Sequence, residues 1–347
     1  MNPSESYYRR TVSAIGFALL IWFLLIQLFS IFVSSFLPML LEILLSDREI
    51  LSTLLSQGIY AAGYLFCFML PVLFLKKFIS KAGCPYQSMY SPAQITPWLP
   101  LITFSCIAIV LSAAHINSSL MDLIGYHPEA VSFTSQESSS DPKVYELILD
   151  FIVICLVPGF CEELLFRGAI LSNCLPFGKS KAIFISALLF SLMHQNAEQI
   201  FYTFVMGLLL GFVYVQTKSI WNCVILHTLN NFFSYAENIV LIRVKDQLLA
   251  TTYVSLIELF VFLLGILSTV ILILRFFSQK DAQFRDGFFG KTLDPCAEYA
   301  PSPINRKRAT KLFMAPSMIL FLALCVLQIV SLMIIVIFGG SWFGSLG

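Results

Sequence analysis

The stretch from Leu147 to Gly168, LILDFIVICLVPGFCEELLFRG, is one of the most apolar parts of the chain, yet it carries three charged residues near its end. Glu162, Glu163 and Arg167 fall within six consecutive positions. A bilayer core penalises a charged residue at a helix centre by about 2.5–3.5 kcal/mol, even on the most lenient insertion scale. These charges therefore need partners, water or a chemical role that compensates for their burial.

The composition is that of an α-helical membrane protein. Of the 347 residues, 58% are hydrophobic and only 12% are charged, whereas a soluble domain is about 25% charged. Apolar runs of helical length recur along the chain, while the strands of a barrel would be shorter and would alternate. The formal net charge of +1 predicts no nucleic-acid partner. We predict an all-α, polytopic transmembrane bundle in the cell membrane, and the sequence does not predict its oligomeric state.

The hydrophobic pattern predicts nine spans, because about 20 helical residues cross the hydrocarbon. They cover residues 14–38, 55–75, 97–114, 144–166, 182–197, 199–217, 220–242, 252–275 and 314–338. We divide the chain into an N-terminal part with three spans and their loops (1–142), a core with four spans (143–243), and a C-terminal part with two spans (244–347). Polar, turn-rich loops are predicted at 76–96, 115–143 and 276–313.

The distribution of Lys and Arg predicts a cytoplasmic N-terminus. With that orientation, 16 of the 21 Lys and Arg residues lie on the cytoplasmic side and four on the outer side, and Arg167 lies close to the end of its span. Half of the 16 belong to the segment 275–311, which ends in INRKRATK. This basic loop is either a topology signal alone or, with the segment KKFISK (76–81), the frame of a cytoplasmic entrance for the substrate.

Helical spacing separates the charged residues into a pair and a single carboxylate. Glu163 and Arg167 are four residues apart, so they share a helix face and are expected to form an ion pair. Glu162 points about 100° away from Glu163 around the helix and is left without that partner. A structural ion pair accounts for two of the three charges, and the third is a candidate general base.

Two further helices carry polar residues in apolar surroundings. His194 follows Phe190 by one turn in FSLMH, and His227 precedes Asn231 by one turn in HTLNN. Counted from the predicted cytoplasmic helix ends, Glu162, both histidines and Asn231 lie at similar depths of roughly 12–20 Å. A lone buried histidine is more often structural, but three helices that deliver polar groups to one depth predict a shared, water-filled pocket.

The order Glu-Glu-x-x-x-Arg, Phe-x-x-x-His and His-x-x-x-Asn on successive apolar helices resembles the CPBP family of intramembrane proteases. That family contains the CAAX prenyl-protein endopeptidase and bacteriocin-processing or immunity (Abi-like) relatives. The resemblance covers about 143–243, and TKSIWNCVILHTLNN (217–231) looks like the bacterial branch. Spans one to three, eight and nine carry no signature of this family.

The resemblance implies a hydrolase that cleaves a peptide or membrane-anchored protein precursor without an acyl-enzyme. It assigns Glu162 to the activation of water with help from His194, and His227 and Asn231 to the oxyanion. Glu163, Arg167 and Phe190 would be supporting residues. A metal, most plausibly zinc, would take its ligands from Glu162, His194 and His227, although the chain has no H-E-x-x-H motif and asparagine is a poor zinc ligand.

Two alternative functions remain open at this point. A non-catalytic immunity or scaffold protein of the same fold would retain these motifs for structure alone. A proton-coupled transporter would use buried Glu and His as a relay, but transporters often consist of two related halves, and we find no such repeat in the sequence.

Overall fold

The computed structural model describes residues 3–45, 48–81, 95–126, 142–277 and 315–343, and within these ranges it contains nine long helices and no strand. The helices are α1 (3–45), α2 (Glu49–Lys81), α3 (Leu99–Leu123), α4 (Val144–Cys174), α5 (Lys179–Met193), α6 (Ala197–Thr217), α7 (Ile220–Arg243), α8 (Gln247–Phe277) and α9 (Pro316–Phe343). The predicted all-α polytopic fold is confirmed. Each predicted span overlaps one long helix, but the predicted span 182–197 lies too far along the chain, since α5 ends at Met193 and α6 begins at Ala197. The count of nine membrane spans and the orientation in the membrane stay predictions.

Seven of the nine helices are long and apolar enough to cross a membrane. The two that fall short are α5, which has 15 residues, and α7, which contains Asn222, His227, Thr228 and Glu237. His194 directly follows α5, and His227 lies in α7. Protein rather than lipid therefore has to cover much of their surface, because polar groups in a bilayer face the bundle interior or a hydrated cavity.

The helices continue beyond several predicted span ends. Helix α3 runs to Leu123, so residues 115–123 are helical and the predicted loop 115–143 begins too early; α2 runs to Lys81, so KKFISK is helical as well. Polar composition is a weak loop signal here, since a helix that leaves the hydrocarbon keeps its backbone hydrogen bonds in the interface. The basic cluster of the loop 276–313 lies outside the described residues.

Helix α4 is the central element of the described bundle. It packs against α2, α5, α6 and α7. Helix α1 packs on α2 and α9, and α9 also touches α5; α3 packs on α6 and α7, and α8 packs on α3 and α7. A buried apolar cluster joins α4 to α1, α2, α5 and α9. The charged residues of α4 are thereby enclosed by four neighbouring helices, and each of these helices can supply a partner to them.

Glycine sets the closest approach between α5 and α6. A Cβ atom at Gly207 would stand 2.8 Å from the Cα atom of Ala187 and 3.2 Å from its carbonyl oxygen. Backbone atoms cannot rotate away, so any larger residue at 207 separates the two helices. The carbonyl oxygen of Gly207 itself faces α4. The contact between α5 and α6 is therefore relevant to the charged cluster described below.

We expect Gly207→Ala to lower the free energy of unfolding by about 1–3 kcal/mol, the usual range for overpacking. Gly58→Ala in α2 is the matched control, because a Cβ atom there meets nothing within 4 Å, and alanine favours a helix over glycine by up to about 1 kcal/mol. Thermal unfolding of both variants in one detergent tests this. Equal unfolding temperatures for the two variants would show that the α5–α6 contact is not tight.

Candidate active site

Two π-helical stretches flank the acidic residues of α4. Phe151–Leu156 and Leu164–Leu171 are π-helical, and the α-helical stretch Val157–Glu163 lies between them. Such turns are rare and occur often at functional sites, because each one shifts the side chains that follow it to a different face. Pro158, which has no N–H, lies between the two stretches and removes one α-helical hydrogen bond. The faces that Glu162 and Glu163 present therefore depend on irregular turns on either side.

The predicted pair of Glu163 and Arg167 is present and fully buried. Arg167 donates from Nη1 to Glu163 Oε1 at 2.8 Å, and both side chains have 0% exposure. Its Nη2 donates to the carbonyl oxygen of Gly207 at 3.2 Å, and its guanidinium lies 4.5 Å from the centre of the Phe190 ring. Arg167 thus joins α4 to α5 and α6, while Glu163 balances its charge.

Glu163 also binds His227, a contact that helical spacing within α4 does not predict. His227 Nδ1 lies 2.8 Å from Glu163 Oε1, the same oxygen that accepts from Arg167. An ionised carboxylate only accepts, so Nδ1 carries the hydrogen and donates it. This leaves His227 Nε2 directed toward Glu162, with 3.8 Å between Nε2 and Glu162 Oε2. Glu163 therefore fixes both the tautomer and the direction of the His227 ring.

The close approach of α4 and α7 rests on Gly159. A Cβ atom at this position would stand 2.5 Å from Thr228 Oγ1 and 3.2 Å from the Thr228 backbone nitrogen. Thr228 follows His227 directly, and Gly159 precedes Glu162 by three residues. The absent side chain thus lets the imidazole reach both carboxylates.

The expectation that Glu162 is free of partners is wrong for one of its oxygens. Tyr64 of α2 donates its hydroxyl hydrogen to Glu162 Oε1 at 2.5 Å. Glu162 Oε2 is buried and has no hydrogen-bond partner among the described residues, and the side chain as a whole is 6% exposed. One oxygen of this carboxylate is therefore held, and the other faces His227 without a hydrogen bond.

His194 lies directly beyond the end of α5, next to this group. Its Nδ1 is 2.9 Å from the carbonyl oxygen of Phe190; because a carbonyl only accepts, Nδ1 carries the hydrogen and Nε2 stays available as an acceptor. The Phe190 ring lies between the two histidines, with ring centres 5.1 Å from His194 and 5.7 Å from His227. Glu162 and His227 are close enough to act electrostatically on His194.

The turn after His194 is held by side chains from three parts of the chain. Gln195 has a left-handed backbone with φ +52°, which is uncommon for a residue other than glycine. Gln27 of α1 donates from Nε2 to Gln195 Oε1 at 2.7 Å and to Gln328 Oε1 of α9 at 3.3 Å. Asn196 then caps α6 by accepting from the Glu198 backbone N–H at 3.1 Å. Helices α1 and α9 thereby support the position of His194.

Asn231 lies one turn beyond His227, and its bond in the structure is with the backbone of α4. Its Nδ2 donates to the carbonyl oxygen of Ile154 in a long bond of 3.5 Å. Ile154 lies in the π-helical stretch Phe151–Leu156, and Pro158, four residues further on, has no N–H to donate to it. Asn231 thus adds a donor from α7 to this carbonyl, and its role toward an oxyanion stays a prediction.

Two partners of the cluster were missed by sequence reasoning. Tyr64 belongs to α2, far from the acidic residues in sequence, and the Gly207 carbonyl is a backbone group with no sequence signal. The one available hint was the pair Tyr60 and Tyr64, one turn apart in an apolar helix, because a buried tyrosine hydroxyl usually finds a hydrogen-bond partner.

The residues of the candidate metal site do not form a ligand set in the structure. Within the described residues, no three His, Cys, Asp or Glu side chains are grouped closely enough to hold a metal ion. His227 Nε2 and Glu162 Oε2 face each other, but His194 does not complete a set with them. We therefore derive no step of the reaction from a metal.

We expect Arg167→Ala to destabilise the protein by about 3–5 kcal/mol, because it leaves Glu163 buried without a cation. The double variant Glu163→Gln with Arg167→Met removes both charges at similar volume and should lose less stability. Thermal unfolding and the yield of folded protein in detergent measure both effects. A wild-type unfolding temperature for Arg167→Ala would show that the ion pair does not stabilise the bundle.

Comparison with known proteins gives a match to the segment that carries the charged cluster. Residues 144–233 match the family model described as Rce1-like, the type II CAAX prenyl endopeptidase Rce1-like family. No curated protein and no solved structure matches the chain. The match begins with α4 and ends within α7, so it includes all seven site residues predicted from the sequence; the assignment to a bacterial branch stays a prediction. The segment that holds the charged cluster is therefore similar to the Rce1-like type II CAAX prenyl endopeptidases, which confirms the family resemblance that its motifs indicate.

Proposed function

We propose that this protein is an intramembrane endopeptidase in which Glu162 activates a water molecule for attack on a peptide bond. The observation that carries the proposal is the Glu162 carboxylate, buried in the segment that matches peptidases, with one oxygen held by Tyr64 and the other without a hydrogen bond. An unpartnered buried oxygen is costly for a protein to keep. A water molecule that it polarises would satisfy it.

The neighbours of Glu162 suit the steps of hydrolysis. Glu162 Oε2 accepts a proton from water while the oxygen of the water attacks the scissile carbonyl carbon. His194 orients the same water through Nε2, which is an acceptor because Nδ1 donates to Phe190 O. When the C–N bond breaks, the proton held by Glu162 passes to the leaving amine, so that one carboxyl group and one amine form and no acyl-enzyme is needed.

The position of His227 favours it as the group that stabilises the oxyanion. This role requires a hydrogen on Nε2 in addition to the one on Nδ1. In that form His227 donates through Nδ1 to Glu163 and directs Nε2–H toward the substrate side of Glu162. A buried, fixed donor of this kind is the most effective way to stabilise a developing oxyanion.

The substrate class follows from the surroundings of the site. Seven helices are long and apolar enough to cross a membrane, and the cluster lies among α2, α4, α5 and α7. A substrate has to reach it through the bilayer or its interface, so we infer a peptide or protein that is itself membrane-anchored. The description of the matched family names a CAAX prenyl endopeptidase, so a prenylated peptide is the first form of substrate to test.

A purely structural role explains the cluster less completely. Glu163, Arg167 and His227 form a hydrogen-bonded network that would stabilise a scaffold protein equally well, although Glu163 Oε2 and Arg167 Nε, like Glu162 Oε2, are buried without a hydrogen bond. That reading gives no reason for Glu162, which lies outside the ion pair, to direct such an oxygen toward His227. Zinc held by Glu162, His194 and His227 is the second way to activate water, and it requires movement of side chains that the described structure does not group as ligands.

We expect Glu162→Gln to lower proteolysis by at least about 100-fold with little change in stability, because glutamine keeps the acceptor for Tyr64 but cannot take a proton. Glu237→Gln is the matched control: Glu237 Oε1 is also buried without a hydrogen bond, and it lies outside the matched segment. The measurement is cleavage of internally quenched peptides, with and without a C-terminal farnesylated cysteine, by protein in lipid nanodiscs.

Comparison of the small peptides in membranes of cells that express wild type or Glu162→Gln identifies natural substrates. If wild type cleaves nothing in either experiment, the protein is a non-catalytic relative. If Glu162→Gln cleaves as fast as wild type, another residue is the base.

The two possible roles of Asn231 are separable by restoring the missing backbone donor. Pro158→Ala returns an N–H to position 158, and an α-helical turn would place this donor on Ile154 O beside Asn231. In that background we expect Asn231→Ala to cost little stability and still to lower turnover by about 10-fold or more, as the loss of an oxyanion donor does. Unfolding temperature and kcat are measured for both single variants and the double variant. Unchanged turnover in the double variant would assign Asn231 to structure alone.

A further inference from the structure

We propose that Tyr64, on α2 and outside the segment that matches the peptidase family, is a positioning residue that selects which oxygen of Glu162 takes the proton. This inference rests on the proposed function, since it concerns the same carboxylate. Its basis is one contact that neither the motifs nor the family match assigns: the Tyr64 hydroxyl donates to Glu162 Oε1 at 2.5 Å.

The contact distinguishes two oxygens that are chemically equivalent. Rotation about the terminal bond of a glutamate is soft, with broad and roughly two-fold preferences, so an unheld carboxylate exchanges its oxygens easily. Tyr64 holds Oε1, and Oε2 then lies 3.8 Å from His227 Nε2 without a hydrogen bond. The hydroxyl therefore directs the reactive lone pairs of Glu162 toward the two histidines.

An aromatic stack keeps the Tyr64 ring in place. The ring is stacked on Phe68 with centres 4.7 Å apart and on Tyr60 with centres 6.2 Å apart. Phe68 is buried and meets Trp22 of α1 edge to face at 5.8 Å. The ring of Tyr64 is thus held by aromatic neighbours, and its hydroxyl hydrogen is engaged by Glu162 Oε1.

A glycine next to Tyr64 makes room for this stack. A Cβ atom at Gly63 would stand 2.0 Å from the ring of Phe29, whose centre lies 5.8 Å from that of Tyr60. The ring of Phe29 can therefore lie against the α2 backbone, and α1 packs closely on the helix that carries Tyr64. The N-terminal helices, which show no family signature, would in this way set the geometry of the base.

The chemical consequence concerns the direction of proton transfer. The hydrogen bond from Tyr64 occupies Oε1 and leaves Oε2 as the oxygen without a donor. Because Oε1 already accepts from Tyr64, the proton taken from water goes to Oε2. It is then on the side of the histidines and of the leaving amine, where the second half of the reaction needs it.

The test compares Tyr64→Phe with Tyr60→Phe. The second variant also removes one tyrosine hydroxyl from the aromatic stack, but one helical turn away from the partner of Glu162. For Tyr64→Phe we expect kcat to fall by about 10- to 100-fold, the range for a misplaced catalytic group, while KM changes less than about two-fold. The acidic limb of the pH–rate profile should move to higher pH, because Glu162 loses a donor to its ionised form. Tyr60→Phe should keep the wild-type kcat and pH profile.

A fluorinated tyrosine at position 64 covers the case in which Tyr64→Phe does not fold. Its more acidic hydroxyl donates more strongly, so the acidic limb should move to lower pH, opposite to the shift for Tyr64→Phe. Wild-type kcat and pH profile for Tyr64→Phe, or no shift with the fluorinated residue, would overturn the inference while Glu162→Gln remains inactive. If Glu162→Gln is itself active, the proposed function fails instead.

Discussion

The charged cluster depends on a single oxygen atom, Glu163 Oε1, which accepts hydrogen bonds from both Arg167 and His227. A carboxylate oxygen has lone pairs enough for two donors, and here the two donors come from different helices. The guanidinium makes it possible to bury the carboxylate, and the carboxylate in turn fixes the imidazole. Without this atom, the hydrogen bonds between α4 and α7 would be those of Asn231 and Tyr235 to backbone carbonyls, and neither of them directs His227 toward Glu162.

The helices outside the matched segment support this arrangement rather than surround it passively. Tyr64 of α2 donates a hydrogen bond to Glu162. Gln27 of α1 donates to Gln195 in the left-handed turn and to Gln328 of α9. Bonds of this kind restrict both the carboxylate and the histidine that the proposed reaction requires. They also give a partner to polar side chains that lie in otherwise apolar helices.

Hydrophobicity alone predicted the all-α fold and the order of the helices in the described residues, because most of them are long and strongly apolar, while the count of nine membrane spans stays a prediction. It also placed the polar residues on the correct helices and paired Glu163 with Arg167, since that contact lies within one helix. It could not find the contacts of His227 with Glu163 or of Tyr64 with Glu162. Those contacts depend on how each helix is rotated about its axis and on two π-helical stretches, and neither leaves a periodic signal in the sequence.

The short length of α5 has a consequence for the lipid around the protein. At 1.5 Å per residue, its 15 residues span about 22 Å, whereas the hydrocarbon core of a typical bilayer is about 30 Å thick. A bilayer responds to so short an element by thinning locally or by admitting water and headgroups beside it. Hydrophobic mismatch at α5 would thus bring the interface nearer to His194 than the longer helices alone would allow, and the thickness of the surrounding membrane becomes part of the environment of the site.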